Sequence, residues 1–217
     1  RFLEADDPAA ELPAVLAALR PVAVFLPHAK DGHPTHRATH RLGVAALDQA
    51  GGIFRVVETE YWHPLERPNL MVAATKTHVA TLRRALACHV GEVARNDYAA
   101  RLPAWMSDNV RRGAELVGGP GAAAPNMAYA TLYRARIRAV GKWSAPFHGG
   151  KSLKSACDLR GWVAAWDAPP AAGARAQGRQ PKKLSSPAGR SFSKMQICWR
   201  ISTQAFLKRW LASRKSS

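Results

Sequence analysis

The sequence predicts an α/β fold, a Rossmann-like three-layer arrangement of one sheet with helices on both faces. Three observations carry this reading. Val22-Ala23-Val24-Phe25-Leu26 is a continuous apolar run, the pattern of a strand buried on both sides in a parallel sheet. A polar loop and a helical pattern over residues 37–50 follow it, and then a second strand-like run, Phe54-Arg55-Val56-Val57-Glu58-Thr59. That order is a βαβ unit. Comparable alternation continues to about residue 138 and then stops.

Taken in order, Leu12-Pro13-Ala14-Val15-Leu16-Ala17-Ala18-Leu19 reads as a short helix closed by Arg20-Pro21. The helix over residues 37–50 carries Leu42, Ala45, Ala46 and Gln49 at helical spacing and ends at Gly51-Gly52. Trp62-His63-Pro64-Leu65-Glu66-Arg67-Pro68 is a loop and Leu70-Met71-Val72 a short strand. A long helix is expected over residues 76–93, with Val79, Leu82, Leu86 and Val90 on one face. Another spans residues 102–117 and closes at Gly118-Gly119-Pro120-Gly121, which lacks the Lys-Ser/Thr of a phosphate-binding loop and reads as a turn. Residues 130–137 form a last strand. Residues 168–190 are dominated by Pro, Gly, Ser and Arg and read as irregular, and residues 201–212 as a short basic helix. Two units follow: a folded domain over residues 1–138 and a basic, mostly irregular extension over residues 139–217.

Charge sharpens that division. The 217 residues carry a formal net charge of +17, yet 47% of them are hydrophobic, enough for an ordinary core. Residues 1–138 hold 17 basic and 13 acidic side chains, a net of +4, whereas residues 139–217 hold 15 and 2, a net of +13. The excess belongs to the extension. With Trp143, Trp162, Trp166, Trp199 and Trp210 interspersed, the extension suits nucleic-acid or anionic-surface binding, the alternative function, although no nucleic-acid-binding motif accompanies it. No apolar stretch is long enough to cross a bilayer. Cys88, Cys157 and Cys198 form no Cys-x-x-Cys pair, which argues against a zinc knuckle or disulfide framework and for free thiols in a cytoplasmic, reducing setting. There is no Gly-x-Ser-x-Gly elbow, which argues against a serine hydrolase.

The chemistry concentrates in one loop. Four of the eight histidines, His28, His33, His36 and His40, fall within 13 positions directly after the first strand. In parallel α/β sheets the working site lies in loops beyond the strand C-termini. Neutral imidazole is the commonest ligand for zinc and similar metals, and Asp31 adds a carboxylate able to ligate or to orient an imidazole. The same histidines would equally serve as helix caps and partners for loop carbonyls. His36 and His40 also stand at i and i+4, so a two-ligand helical face is a further reading. His63 lies in a loop able to reach a substrate, Arg111-Arg112 reads as a solvated helix face or an anion clamp, and His89 as a core or pocket-wall residue.

These residues resemble a known family. His33-Pro34-Thr35-His36, after an apolar strand and Pro27-His28, is similar to the second signature of the PIG-L (LmbE-like) deacetylases, His-Pro-Asp-His. The resemblance continues in order through Val57-Glu58-Thr59-Glu60-Tyr61-Trp62, Arg67-Pro68-Asn69-Leu70-Met71-Val72, Ala85-Leu86-Ala87-Cys88-His89, the run from Leu102-Pro103-Ala104-Trp105 to Arg111-Arg112-Gly113-Ala114-Glu115, and Tyr129-Ala130-Thr131-Leu132-Tyr133-Arg134. It implies a hydrolase using one divalent metal, most often Zn2+, to remove an acetyl group from an N-acetylglucosamine-type or related N-acylated small substrate. By position it implies His36 as metal ligand and His33 as a catalytic imidazole; the residues themselves add Asp31 as a catalytic group and His28, His63 and Arg111 as substrate contacts. Thr35 stands where the family has Asp, and Asp31 or Thr35 itself takes over that residue's part. The family's first signature, with two further ligands and the base, has no counterpart here. The chain begins at Arg1 with no leader pattern, so it is expected to start inside a longer chain, to lack its first βα unit and to have negligible activity by itself. The expected partner is a small N-acetylated sugar, and a homo-oligomer is left open.

Overall fold

In a computed structural model, residues 8–167 are described. Helix α1 (Pro8–Leu19) leads into β1 (Val24–Pro27), α2 (Pro34–Ala50) and β2 (Ile53–Thr59). Then come β3 (Leu70–Ala74), α3 (Lys76–Ala87), α4 (Val90–Arg95), α5 (Tyr98–Gly118) and β4 (Tyr129–Ala139). The described part ends with β5 (Lys142–Ser144), β6 (Lys151–Leu153), α6 (Leu159–Ala164) and a 3-10 turn at Ala165–Asp167. The class is mixed α/β, with the six strands in one sheet ordered β1-β2-β4-β3-β6 and β5 paired to β4.

The expected βαβ unit is present: β1 and β2 are parallel, with Val24 opposite Val56 and Pro27 opposite Thr59. The rest of the sheet is not all-parallel. Strand β4 enters between β2 and β3, antiparallel to both, and β6 runs parallel to β3. Alternation along β4 divides the core. Ala130 and Leu132 face α5 and pack with Val110, Val117 and Met71, while Tyr133 and Ala135 face the other way, toward Val163 and Trp166. A third cluster, Leu26, Leu47, Phe54 and Val56, lies under α2. Helices therefore cover both faces. Gly43 permits the close approach of α2 to β1: a Cβ there would stand 2.6 Å from Leu26 Cδ2.

Three expectations about helices are corrected or refined. Helix α2 starts at Pro34, not at residue 37, because proline loses nothing at the first helical position and His33 caps the turn. The single helix expected over residues 76–93 is two. Cys88 N–H and His89 N–H bond back three residues, to Ala85 O and Leu86 O, and His89 leaves helical geometry at φ −89, ψ 64. Beyond that break Val90 is exposed, so the apolar periodicity that suggested continuity does not report a buried face. Helix α5 starts at Tyr98, not at residue 102, so Pro103 sits inside it and cannot bond the carbonyl of Ala99; Arg83 Nε of α3 donates to that oxygen at 3.0 Å instead. The proline break is thereby turned into a helix–helix contact.

The boundary expected at residue 138 also moves. Val140 (φ 46) and Gly141 (φ 72) form a two-residue hairpin turn that brings β5 back onto β4. Strand β6 extends the sheet, and α6 with its 3-10 turn covers one face. Trp143 lies beneath Arg136 and Arg138, at 3.9 Å and 4.8 Å from the guanidinium carbons, and Trp162 and Trp166 pack edge-on to one another beside Phe147. These three tryptophans, expected among the cations of an irregular extension, are structural because the apolar face of the sheet needs cover. The irregular stretch 168–190, the helix over 201–212, Trp199 and Trp210 lie outside the described residues. No described helix is long and apolar enough to cross a membrane.

Candidate functional site

Parallel neighbours deliver their C-terminal loops side by side, and here the loop after β1 (residues 28–33) meets the loop after β2 (residues 60–69). Asp31 joins them. Its carboxylate is buried, with Oδ1 accepting from His33 N–H (2.8 Å) and from the His36 ring at Nδ1 (2.9 Å). Oδ2 accepts from Trp62 N–H (3.2 Å), and His28 Nε2 stands 3.9 Å away. His28 is itself buried, and its Nε2 donates to His63 O at 2.9 Å, tying the second loop to the first strand. Arg37 adds bonds from its guanidinium to Asp31 O and Gly32 O.

These contacts fix two imidazoles in opposite tautomers. A carboxylate at Nδ1 of His36 requires the proton there, which leaves the lone pair on Nε2. His33 caps α2 by accepting Thr35 N–H at its own Nδ1 (3.2 Å), so its proton resides on Nε2 as a donor. The ring centroids are 5.1 Å apart, with Tyr61 4.7 Å from His36 and Trp62 5.6 Å from His33. Burial pushes the His36 pKa below its ordinary value, ahead of the opposing attraction of Asp31. His36 is thus a nitrogen base or ligand that burial favours in its neutral form, beside the Nε2–H donor of His33.

The residues singled out from sequence divide clearly. His28, Asp31, His33 and His36 converge, and His63 lies beside His28, 6.2 Å between rings, with its own side chain exposed. Asp31 touches no open surface and acts through the groups it holds. Of Asp31 and Thr35, it is Asp31 that contacts the His36 side chain, while Thr35 gives its N–H to His33 and its carbonyl to Thr39. Arg111 does not join the cluster: it is exposed, pairs with Asp108 at 2.8 Å and lines a separate groove with Pro103, Ser107 and Met127. Helical geometry turns its neighbour inward instead. Arg112 forms a fork on buried Glu60 (2.8 Å and 3.3 Å) and bonds Asn109 (2.9 Å), while Glu60 Oε1 accepts Leu65 N–H at 2.6 Å and shapes the second loop. His40 is committed elsewhere, donating to Pro27 O at 2.9 Å beside a buried Glu58 that also faces Arg134 and Arg136. His89 begins α4 with no side-chain cap bond, half-buried.

Sequence reasoning assigned no role to Tyr61 or Trp62, and of Arg111-Arg112 it kept the exposed member. The available signal was topological: if β1 and β2 are parallel, the residues just after β2 must flank those just after β1.

Among the described residues no group of three or more His, Cys, Asp or Glu side chains is arranged to hold a metal ion. His36 Nε2, oriented by a carboxylate behind it, has the chemistry of one metal-ligating nitrogen. A complete coordination set is not assembled from residues 8–167. No protein-family description, no curated protein and no solved structure matches the chain.

Proposed function

We propose that the protein is a metal-dependent hydrolase of the PIG-L (LmbE-like) type, removing an acetyl group from an N-acetylglucosamine-type or related N-acylated small substrate. The observation that supports this reading is the pair beside Asp31, His36 with its lone pair on Nε2 and His33 with its N–H on Nε2, ring centroids 5.1 Å apart, at the mouth of a βαβ unit. The Rossmann-like description of the sheet belongs to the same proposal and rests on that unit, since the other pairings are mixed.

Amide hydrolysis needs an activated water and a stabiliser for the oxygen anion that forms on the acyl carbon. A bound Zn2+ would supply Lewis acidity toward both. The chain's own share is defined by its tautomers. His36 would offer one neutral nitrogen to the metal. His33 donates Nε2–H toward the developing oxyanion or the departing amine. Asp31 holds the His36 ring and the His33 backbone and is a positioning residue.

Acetate release from methyl N-acetyl-β-glucosaminide, measured with the natural full-length protein before and after chelation, tests the reading. Release that stops on chelation and returns with Zn2+ is expected, and a metal-replete protein that releases no acetate from N-acetylated glucosamine conjugates overturns it.

A further inference from the structure

Trp62 is a large apolar side chain left 52% exposed directly beside the paired imidazoles. It is not a loosely placed surface residue. Its backbone N–H is held by Asp31 Oδ2, the same carboxylate that orients His36, and its carbonyl lies over Gly32, where a Cβ would stand 3.4 Å away. Its indole is 5.6 Å from the His33 ring at a 45° tilt, and the Arg95 guanidinium carbon is 5.6 Å from its centroid. Arg95 reaches this position because the chain breaks between α3 and α4, and it is paired in turn with Glu92. Lys30, in the loop after β1, is likewise matched by a carboxylate, Glu66 at 2.8 Å.

An exposed indole fixed beside the imidazoles, with a guanidinium–carboxylate pair over its ring, has the chemistry of a pyranose site. The apolar face of a sugar ring stacks on an aromatic face, while a paired fork offers donors and acceptors to hydroxyl groups without a net charge. We propose that Trp62 is the stacking platform for the sugar ring of the substrate, with Arg95 and Glu92 at its hydroxyls, and that the platform selects uncharged glycosides over phosphorylated ones. This inference rests on the hydrolase reading for the location of the acyl group beside His33, but the stacking itself needs no turnover.

The test is therefore a binding measurement on the full-length protein, by saturation-transfer NMR and calorimetric titration. The probes are methyl N-acetyl-β-glucosaminide and N-acetylglucosamine 1-phosphate. Trp62→Ala is expected to weaken glycoside binding about ten- to a hundredfold, and Trp62→Phe, which keeps an aromatic face and the backbone bond to Asp31, by no more than about threefold. Trp105→Ala, at another exposed tryptophan on α5, should leave binding unchanged. Unaltered affinity in Trp62→Ala, absence of glycoside binding by the unsubstituted protein, or a phosphorylated sugar binding about tenfold tighter than the glycoside would each overturn the inference. The two readings separate cleanly. Trp62-dependent binding without acetate release removes the hydrolase and leaves the platform, whereas acetate release with Kd and KM indifferent to Trp62 does the reverse.

Discussion

Replacing Asp31 by Ala is the perturbation that most fully engages the site's construction. The carboxylate is 1% exposed and accepts three bonds: His33 N–H at 2.8 Å, His36 Nδ1 at 2.9 Å and Trp62 N–H at 3.2 Å. Its removal strands two backbone N–H groups and frees an imidazole to rotate or change tautomer. A buried donor left without a partner costs about 1–3 kcal/mol. Relief of the desolvated carboxylate offsets part of this, so the net loss is about 3 kcal/mol. At about 2–4 °C per kcal/mol for a chain of this size, Tm should fall by about 6–12 °C. Asp31→Asn keeps the shape and one acceptor oxygen but turns an amide N–H2 toward Trp62 N–H, so its loss should be roughly half as large. Urea unfolding gives the energies, and long-range 15N–1H NMR of the imidazoles reports the tautomer of His36. Asp31→Ala within about 0.5 kcal/mol of the parent, or His36 still protonated at Nδ1 without the carboxylate, would refute the argument.

Other perturbations probe the frame around it. Arg112→Ala abandons buried Glu60 and should cost about 3–5 kcal/mol in chemical denaturation, whereas Arg111→Ala, which removes only an exposed pair, should cost under about 1 kcal/mol. Val140 holds a β-branched side chain at φ 46 in the β4–β5 turn and is exposed, so Val140→Asn should raise stability by about 1 kcal/mol; no gain would show that the turn is not strained. Arg138 holds the Asp48 carboxyl below the ordinary carboxylate range through a double hydrogen bond. A depressed folded-state pKa contributes stability above the unfolded-state value and loses it as pH falls through the folded-state one. Asp48→Asn should accordingly flatten the acid limb of the stability–pH curve, and an unchanged limb would remove this pair from the account.

How much of this was legible in the sequence follows from where the physical signal lies. The run Val22–Leu26, the next strand, and the crowding of four histidines between them are local patterns, and β1, α2, β2 and their shared loop follow from them. The strand order does not. Nothing in Tyr129–Ala139 states that it enters antiparallel between β2 and β3, because its alternation specifies two buried faces and not its neighbours. Strand β5 is three residues long after a Val-Gly turn, without the Asn-Gly or Asp-Gly that marks such hairpins, and composition alone concealed that Trp162 and Trp166 are core. At the site, residue types announced the histidines, but their tautomers depend on contacts across loops. Asp31 reaches Trp62 over 31 positions and Arg112 reaches Glu60 over 52, distances at which spacing carries no information. Choosing Arg111 over Arg112 was a choice of helix face that only packing decides.

On the proposed function, His36 and His33, with ring centroids 5.1 Å apart, would divide the work: one nitrogen for the metal, one N–H for the reacting amide. Zinc stoichiometry and steady-state deacetylation of methyl N-acetyl-β-glucosaminide by the full-length protein test it most directly. His36→Ala should lose metal and activity together. His33→Ala should keep its metal and lower kcat by about a hundredfold or more, with KM little changed, since its contribution arises in the transition state. Zinc retained at full stoichiometry in His36→Ala, or lost in His33→Ala, would contradict the assignment.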